Sequence, residues 1–287
     1  MSCISNICLL EFNVFLKLSI IITLLLPLSL NAAERLDYLV EYKGILSGYS
    51  WTDVSSASIE TRKVADCSDG GSCMMSRATM SSKGYAVLEA IFKVRFHYRS
   101  FYQLKPARTL AFEMREKKYS DKYQPYGYKH SLAVIPDGGT RVDFYKLKSK
   151  GEPLPASAKQ FIATDHKSAD KIRVKKVKHK SVAKYSIDRL ALLQRMRSVP
   201  LKKGYAASFP GTNGKDQLEF RVVVIAAEEI NAAGKRWKTW KIRVDELEKG
   251  DDTVSLFAWL SRDNRNIPVK IELKSSFGSA RFILKSS

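Results

Sequence analysis

The chain has 287 residues, with 49 Lys+Arg against 29 Asp+Glu, and 45% of its residues are hydrophobic. Such a composition excludes wholesale disorder, collagen-like repeats and a polytopic membrane protein. The formal net charge of +20 selects anions as partners.

The N-terminus reads as an address. Leu18–Leu30 (LSIIITLLLPLSL) carries no charge; Lys17 precedes it, and Asn31, Ala32 and Ala33 follow. This is the anatomy of a secretory signal peptide, cleaved near Ala33. As a helix the segment would span about 20 Å, short of the ~30 Å hydrocarbon core of a bilayer, and Pro27 interrupts it. Cys3 and Cys8 precede the apolar run, so a lipid-modified cysteine at the cleavage site is not expected. The expected organisation is a signal peptide over 1–33 and a single mostly-β domain over 34–287.

Past residue 33 only Cys67 and Cys73 remain, flanking Ser-Asp-Gly-Gly-Ser. An even pair in an exported protein reads as a structural disulfide, and Asp69-Gly70-Gly71 supplies the turn. A redox pair or a metal site is the alternative reading, against which stand the long spacing and the lack of a nearby second pair.

Alternation predicts a strand from Leu36 to Tyr42 and a long one from Ala86 to Tyr98. Ser131–Ile135 and Thr140–Leu147 flank Pro-Asp-Gly-Gly, a hairpin signal. Leu218–Ala226, Trp237–Val244, Thr253–Leu260, Pro268–Leu273 and Ala280–Leu284 add five further strands. One helix is predicted over Ile187–Arg197, with Ser186 as N-cap, Asp188 in the first turn and Arg195 and Arg197 in the last. A weaker helix covers Ala156–Ala163. The expected fold is mainly β: a large antiparallel curved sheet, an open barrel or a sandwich, with one covering helix near 187–197.

Two stretches resemble a known family. One runs Ser186-Ile187-Asp188, then Arg197, Pro200-Leu201 and Gly204. The other is Trp259-Leu260-Ser261-Arg262-Asp263-Asn264-Arg265-Asn266-Ile267-Pro268, followed by Phe277-Gly278-Ser279. Their order resembles the DUF3108 family of exported bacterial proteins, strongly over about 185–285 and thinly over 37–184. The resemblance implies a periplasmic, mostly β protein and no established activity. Arg189 and Ala191 stand where family members often carry Pro and Ser, which argues against a catalytic Ser in that helix. Asp188 and Arg197 are nine apart, on opposite faces of a helix, so each is expected to satisfy a helix end or pair with a strand. Asp263 and Arg265 read as turn-builders, Trp259 as core, and Pro200, Ser261 and Pro268 as architectural.

Two basic stretches stand out. Lys167–Lys180 holds Lys171, Arg173, Lys175, Lys176, Lys178 and Lys180, with Ile172 and Val174 alternating among them. As a strand it would have an apolar and a cationic face, and Val177 falls off that register, which requires a bulge. The cationic face is either an anion-binding surface or an edge guarded by lysines. Lys117–His130 interleaves Tyr with Lys: the pattern suits single-stranded nucleic-acid binding, which export argues against, or stacking on sugars, and its plainer reading is a Tyr-rich hairpin packed on the barrel mouth. His97, His130, His166 and His179 show no metal-ligand spacing, and no catalytic motif is present, so no catalytic residue, metal or cofactor is expected.

Two functions follow. In the first, a curved sheet and its helix enclose an apolar cavity, and rim lysines meet the head of an anionic lipid, lipopolysaccharide or another glycolipid. In the second, the interior is packed, and the basic surface docks an envelope protein or makes peripheral membrane contact. A filled interior would remove the first.

Overall fold

Among the described residues, fifteen strands form one antiparallel sheet. The computed structural model describes residues 33–44, 47–64, 67, 73–86, 89, 93–117, 128–136, 139–162, 172–248, 253–275 and 278–287. The signal-peptide reading of 1–32 therefore lies outside the described residues, as do Lys171, His166 and the Tyr/Lys stretch 118–127.

The strands are β1 (Glu34–Gly44), β2 (Thr52–Val64), β3 (Cys73–Ser81), β4 (Arg95–Leu104), β5 (Ala107–Lys117), β6 (Tyr128–Val134), β7 (Arg141–Lys148), β8 (Glu152–Pro153) and β9 (Arg173–Ser181). They continue as β10 (Ala206–Thr212), β11 (Gln217–Ala232), β12 (Lys235–Leu247), β13 (Thr253–Ser261), β14 (Pro268–Ser275) and β15 (Gly278–Ser286). In space β10 to β15 run in order, then β1 to β7, then β9 and β8. The last strand thus lies beside the first, with Val40 opposite Phe282 and Asp37 opposite Ser286.

Period-2 patterning explains most of these strands. On β11, Leu218, Phe220, Val222 and Val224 are buried, while Glu219 and Arg221 between them are exposed. β4 differs: Tyr98 to Tyr102 are all buried, because both faces of the sheet are covered there. Phe101 joins one apolar cluster with Leu132, Tyr145 and Phe161, whereas Tyr102 joins another with Ile187, Met196 and Phe220.

The helices are α1 (Ala156–Lys159) and α2 (Arg189–Arg197). α2 packs on the inner face through Leu190, Ala191, Leu192 and Met196. Tyr102, Phe220, Ile187, Met196, Ile242 and Leu260 fill the space beneath it, each less than 2% exposed. Burying each such side chain contributes about 1.5–3 kcal/mol. These side chains join α2 in one apolar cluster that also takes in Leu218, Val222, Val224 and Val244. On the outer face α1 contributes Ala158 to a cluster with Phe161, Ile162, Phe101 and the Cys67–Cys73 disulfide, whose Cα atoms lie 6.0 Å apart.

The sheet rolls until distant strands meet. Ile187 bridges to Gly211 on β10, and the Ser186 carbonyl accepts from the Thr109 amide at the start of β5. A Cβ on Gly214, in the β10–β11 turn, would come within 2.9–3.0 Å of Phe144, Ala133 and Phe112 on β7, β6 and β5.

Three expectations are corrected. The strand predicted from Ala86 begins instead at Arg95. Ala86 and Glu89 are helical: the Glu89 amide donates to the Tyr85 carbonyl at 2.9 Å, and its carboxylate is held by Ser82 and Arg95. The helix starts at Arg189 rather than Ile187, and its N-cap is Asp188 rather than Ser186, because Ile187 stays extended to bridge Gly211. The weaker helix covers only Ala156–Lys159 of the predicted Ala156–Ala163, followed by a turn.

Candidate functional site

Most residues that carry the family resemblance meet around α2 and the β13–β14 turn. Asp188 is 0% exposed and caps α2, accepting from the Leu190 amide at 2.9 Å. It also accepts from the hydroxyls of Ser100 at 2.5 Å, Thr109 at 2.6 Å and Tyr98 at 3.3 Å. A buried carboxylate is tolerated where donors replace its water. At the other end of α2, Arg197 Nη1 lies 2.6 Å from Glu34 Oε2, and Arg265 Nη2 reaches the other carboxylate oxygen at 3.1 Å. Burial opposes ionisation of Glu34, but the two guanidiniums outweigh it and hold the carboxyl below its ordinary value.

Asp263 Oδ1 builds the β13–β14 turn by accepting from Ser261 Oγ, the Arg265 amide and the Asn266 amide. Asn266, in the left-handed region at φ 43°, donates to the carbonyls of Arg197 and Val199. The Pro268 carbonyl accepts from the buried Tyr38 hydroxyl, and the Trp259 indole donates to Glu228 at 2.6 Å. Pro200 lines a cleft of about 380 Å³ with Trp240, Arg262 and Asn264. Except at that cleft, the polar groups of these residues are engaged with other parts of the protein.

The basic stretch has a different geometry. β9 pairs with β7, and residues directly opposite share a face. Lys176 lies opposite Lys146, Lys178 opposite Phe144, Lys180 opposite Val142 and Arg173 opposite Lys148. The register shifts between Lys146 and Leu147, which leaves Lys175 as the bulged residue. That bulge returns Val177 to the face of Val174, opposite Tyr145 and Leu147 respectively. Without it, Val177 would share a face with Arg173 rather than with Val174.

Charge is therefore segregated on the ribbon. One face carries Lys146, Lys148, Arg173, Lys176, Lys178 and Lys180, and Lys215 of the β10–β11 turn places its Nζ 5.8 Å from the Phe144 ring centre. The ribbon's Asp143 is on the other face, already held by Arg141 at 2.9 Å and His179 at 2.7 Å. Among the described residues no carboxylate forms an ion pair with Lys146, Lys148, Lys176, Lys178 or Lys180. Like charges directly opposite one another destabilise a sheet, so Lys176 opposite Lys146 costs stability unless an anion covers the pair. Lys146, Lys148 and Lys215 were missed in the sequence; the Lys-x-Lys repeat over 146–148 was a readable signal, whereas Lys215 arrives through the roll of the sheet.

Among the described residues no group of three or more His, Cys, Asp or Glu side chains is placed to hold a metal ion, and no helix is long and apolar enough to cross a membrane. The outer face does hold a dense ionic cluster. Glu113, 2% exposed on its side chain, lies 3.0 Å from Arg99 and 2.7 Å from His130. Burial raises its pKa, yet His130, Arg99 and Arg115 prevail and hold it below the ordinary value. His97 is pushed down to about 4 by burial and by Arg115.

Comparison with known proteins gives limited company. No curated protein matches. A β-barrel-like protein of domain DUF1849 from Brucella abortus is 10% identical over 89% of this chain and 96% of that one, with a TM-score of 0.49. A putative exported protein with a YmcC-like fold from Bacteroides fragilis is 8% identical over 88% and 93%, with a TM-score of 0.26. The family model for "Protein of unknown function (DUF3108)" matches residues 140–285, a span that holds α2, the β13–β14 turn and the whole basic ribbon. The chain belongs to the DUF3108 family.

Proposed function

We propose that the protein is an exported envelope protein, a packed and non-catalytic β-scaffold that docks an anionic partner through the β7–β9 ribbon. The observation that carries this reading is the segregation of charge: six cations share one ribbon face, and Asp143 is turned to the other. The apolar cluster that α2 makes with the strands beneath it supports surface docking over a carrier that swallows an acyl chain. Export rests on the uncharged Leu18–Leu30 run followed by Ala32 and Ala33.

The test is binding of the purified protein to polyglutamate and to phosphatidylglycerol vesicles, with phosphatidylcholine vesicles as the neutral control. Binding to at least one anionic probe should weaken with salt and in Lys176→Glu/Lys178→Glu/Lys180→Glu. Equal binding by the variant and the wild type would sink the docking site. Intact mass decides export: a mature N-terminus near Glu34 is expected, and a retained Met1 would end that part of the reading.

A further inference from the structure

The two sides of β9 are unequal. β7 pairs along its full length, from Arg173 to Ser181. On the other side β8 pairs only with Arg173 and Val174. Beyond them Lys175–Ser181 is exposed on both faces, and among the described residues no strand pairs with its outer edge. An open edge offers a row of backbone donors and acceptors.

We propose that this edge receives an extended acidic segment of a partner protein as an added strand. The proposal rests on the reading that the ribbon docks an anion, and it names the kind of anion. Lys176, Lys178 and Lys180 project from one face at i, i+2 and i+4, spaced about 6.7 Å apart. A strand with Asp or Glu at alternate positions would set its carboxylates against them at the same repeat. Its intervening residues would face Val177 and His179. Val177 is 39% exposed and lies opposite Tyr145, on the side away from Lys176, Lys178 and Lys180. An apolar residue there would cover it. A flat anionic surface would meet the lysine face and leave both Val177 and the backbone edge unused.

The same lysines exclude the commonest wrong partner. A second copy of β9 laid along the edge would bring lysine beside lysine on one face, which like-charge pairing disfavours. The edge is guarded against its own kind and selects the opposite charge. Backbone pairing would supply affinity and the alternate side chains specificity, the usual division in strand addition.

The experiment uses a labelled, capped hexapeptide alternating Glu and Val against the full chain. Two further peptides carry N-methyl groups on the odd or the even amides, and phosphatidylglycerol vesicles form a separate arm. A strand shows only alternate amides to its neighbour, so one methylated peptide should lose at least about tenfold in affinity while the other binds as the parent does. The triple Lys→Glu variant should lose a comparable factor; Lys176→Gln/Lys178→Gln/Lys180→Gln, checked for native circular dichroism, guards against misfolding. If both methylated peptides bind like the parent, strand addition is overturned while anion docking stands. If only vesicles distinguish wild type from variant, the partner is a lipid surface and the proposal falls. If neither probe does, the docking reading falls with it.

Discussion

Arg197 and Glu34 stand 2.6 Å apart across 163 positions of sequence, joining the last residue of α2 to the first residue of β1. The Arg197 side chain is only 10% exposed, and Arg265 shares the same carboxylate. Charge-assisted hydrogen bonds of this kind contribute about 1.5–3 kcal/mol. Arg197→Met should therefore destabilise the protein by about 2 kcal/mol in urea unfolding. Arg265, half-exposed, should cost well under 1 kcal/mol when replaced by Met. Equal effects would mean that burial does not set the strength of the pair.

Asp188→Ala removes the cap of α2 and strands three hydroxyls. Cap loss costs about 1 kcal/mol, and each buried hydroxyl left without its partner costs about 1 kcal/mol or more. A total near 3 kcal/mol is expected in chemical unfolding, with Asp188→Asn losing less because an acceptor remains. A loss below 1 kcal/mol in the Ala variant would mean that the network is dispensable.

The β2, β3, β5 and β10 strands were not legible in the sequence, and β2 shows why. Its segment TDVSSASIETRKV has no apolar alternation, because its buried positions are hydroxyls. Ser58 bonds Thr79, Thr61 bonds Ser76, and Ser76 bonds the Tyr102 hydroxyl. A polar ladder satisfies itself across strands and leaves no hydrophobic period to read. β11 shows the converse, with Leu218, Phe220, Val222 and Val224 on one face and Glu219 and Arg221 on the other. The sequence places Asp188 in the first turn because Ser186 is an equally good cap in isolation. The choice was made by Ile187, which is held extended on β10. The lysines of β9 were visible as a charge run, but which of them share a face depends on one bulge.

Stability should fall on the acid side in two stages. His97 is held neutral to about pH 4, and its Nδ1 accepts from Arg115 at 2.7 Å. Unfolded, it would titrate near 6.5. The unfolded state therefore binds more protons between these values, and stability rises with pH through that window. His97→Gln should flatten the slope between about pH 6.5 and 4, a change on the order of 1–2 kcal/mol after solvent screening. Glu113 and Glu34, both with lowered pKa, contribute stability above the ordinary carboxylate range that disappears as the pH falls below it. Glu113→Gln should remove that lower slope. Urea midpoints measured against pH read both, and an unchanged slope in either variant would contradict the assignment.

Gly214 lies in the left-handed region at φ 86°, and an added Cβ would press on Phe144, Ala133 and Phe112. Gly214→Ala should cost about 1–3 kcal/mol, as overpacking does. It should also move Lys215 away from the ribbon. In contrast, Lys178→Gln should change stability by less than about 0.5 kcal/mol, since its side chain stands in solvent. Thermal unfolding of the two variants checks the contrast.

The adjacency of β1 and β15 means that the order of strands in space is the order of strands in the chain, cut and rejoined. Counted from β10 among the described residues, the path runs to β15, crosses to β1 and proceeds to β7, so the one break in a continuous meander before β9 lies between β15 and β1. That junction is also the pairing with the greatest separation along the chain, and long-range closure slows folding. A circular permutant that links Ser286 to Glu34 and opens ahead of Ala206 would turn this junction into an ordinary hairpin. Every strand from β10 through β7 would then meet its neighbour in the order of synthesis.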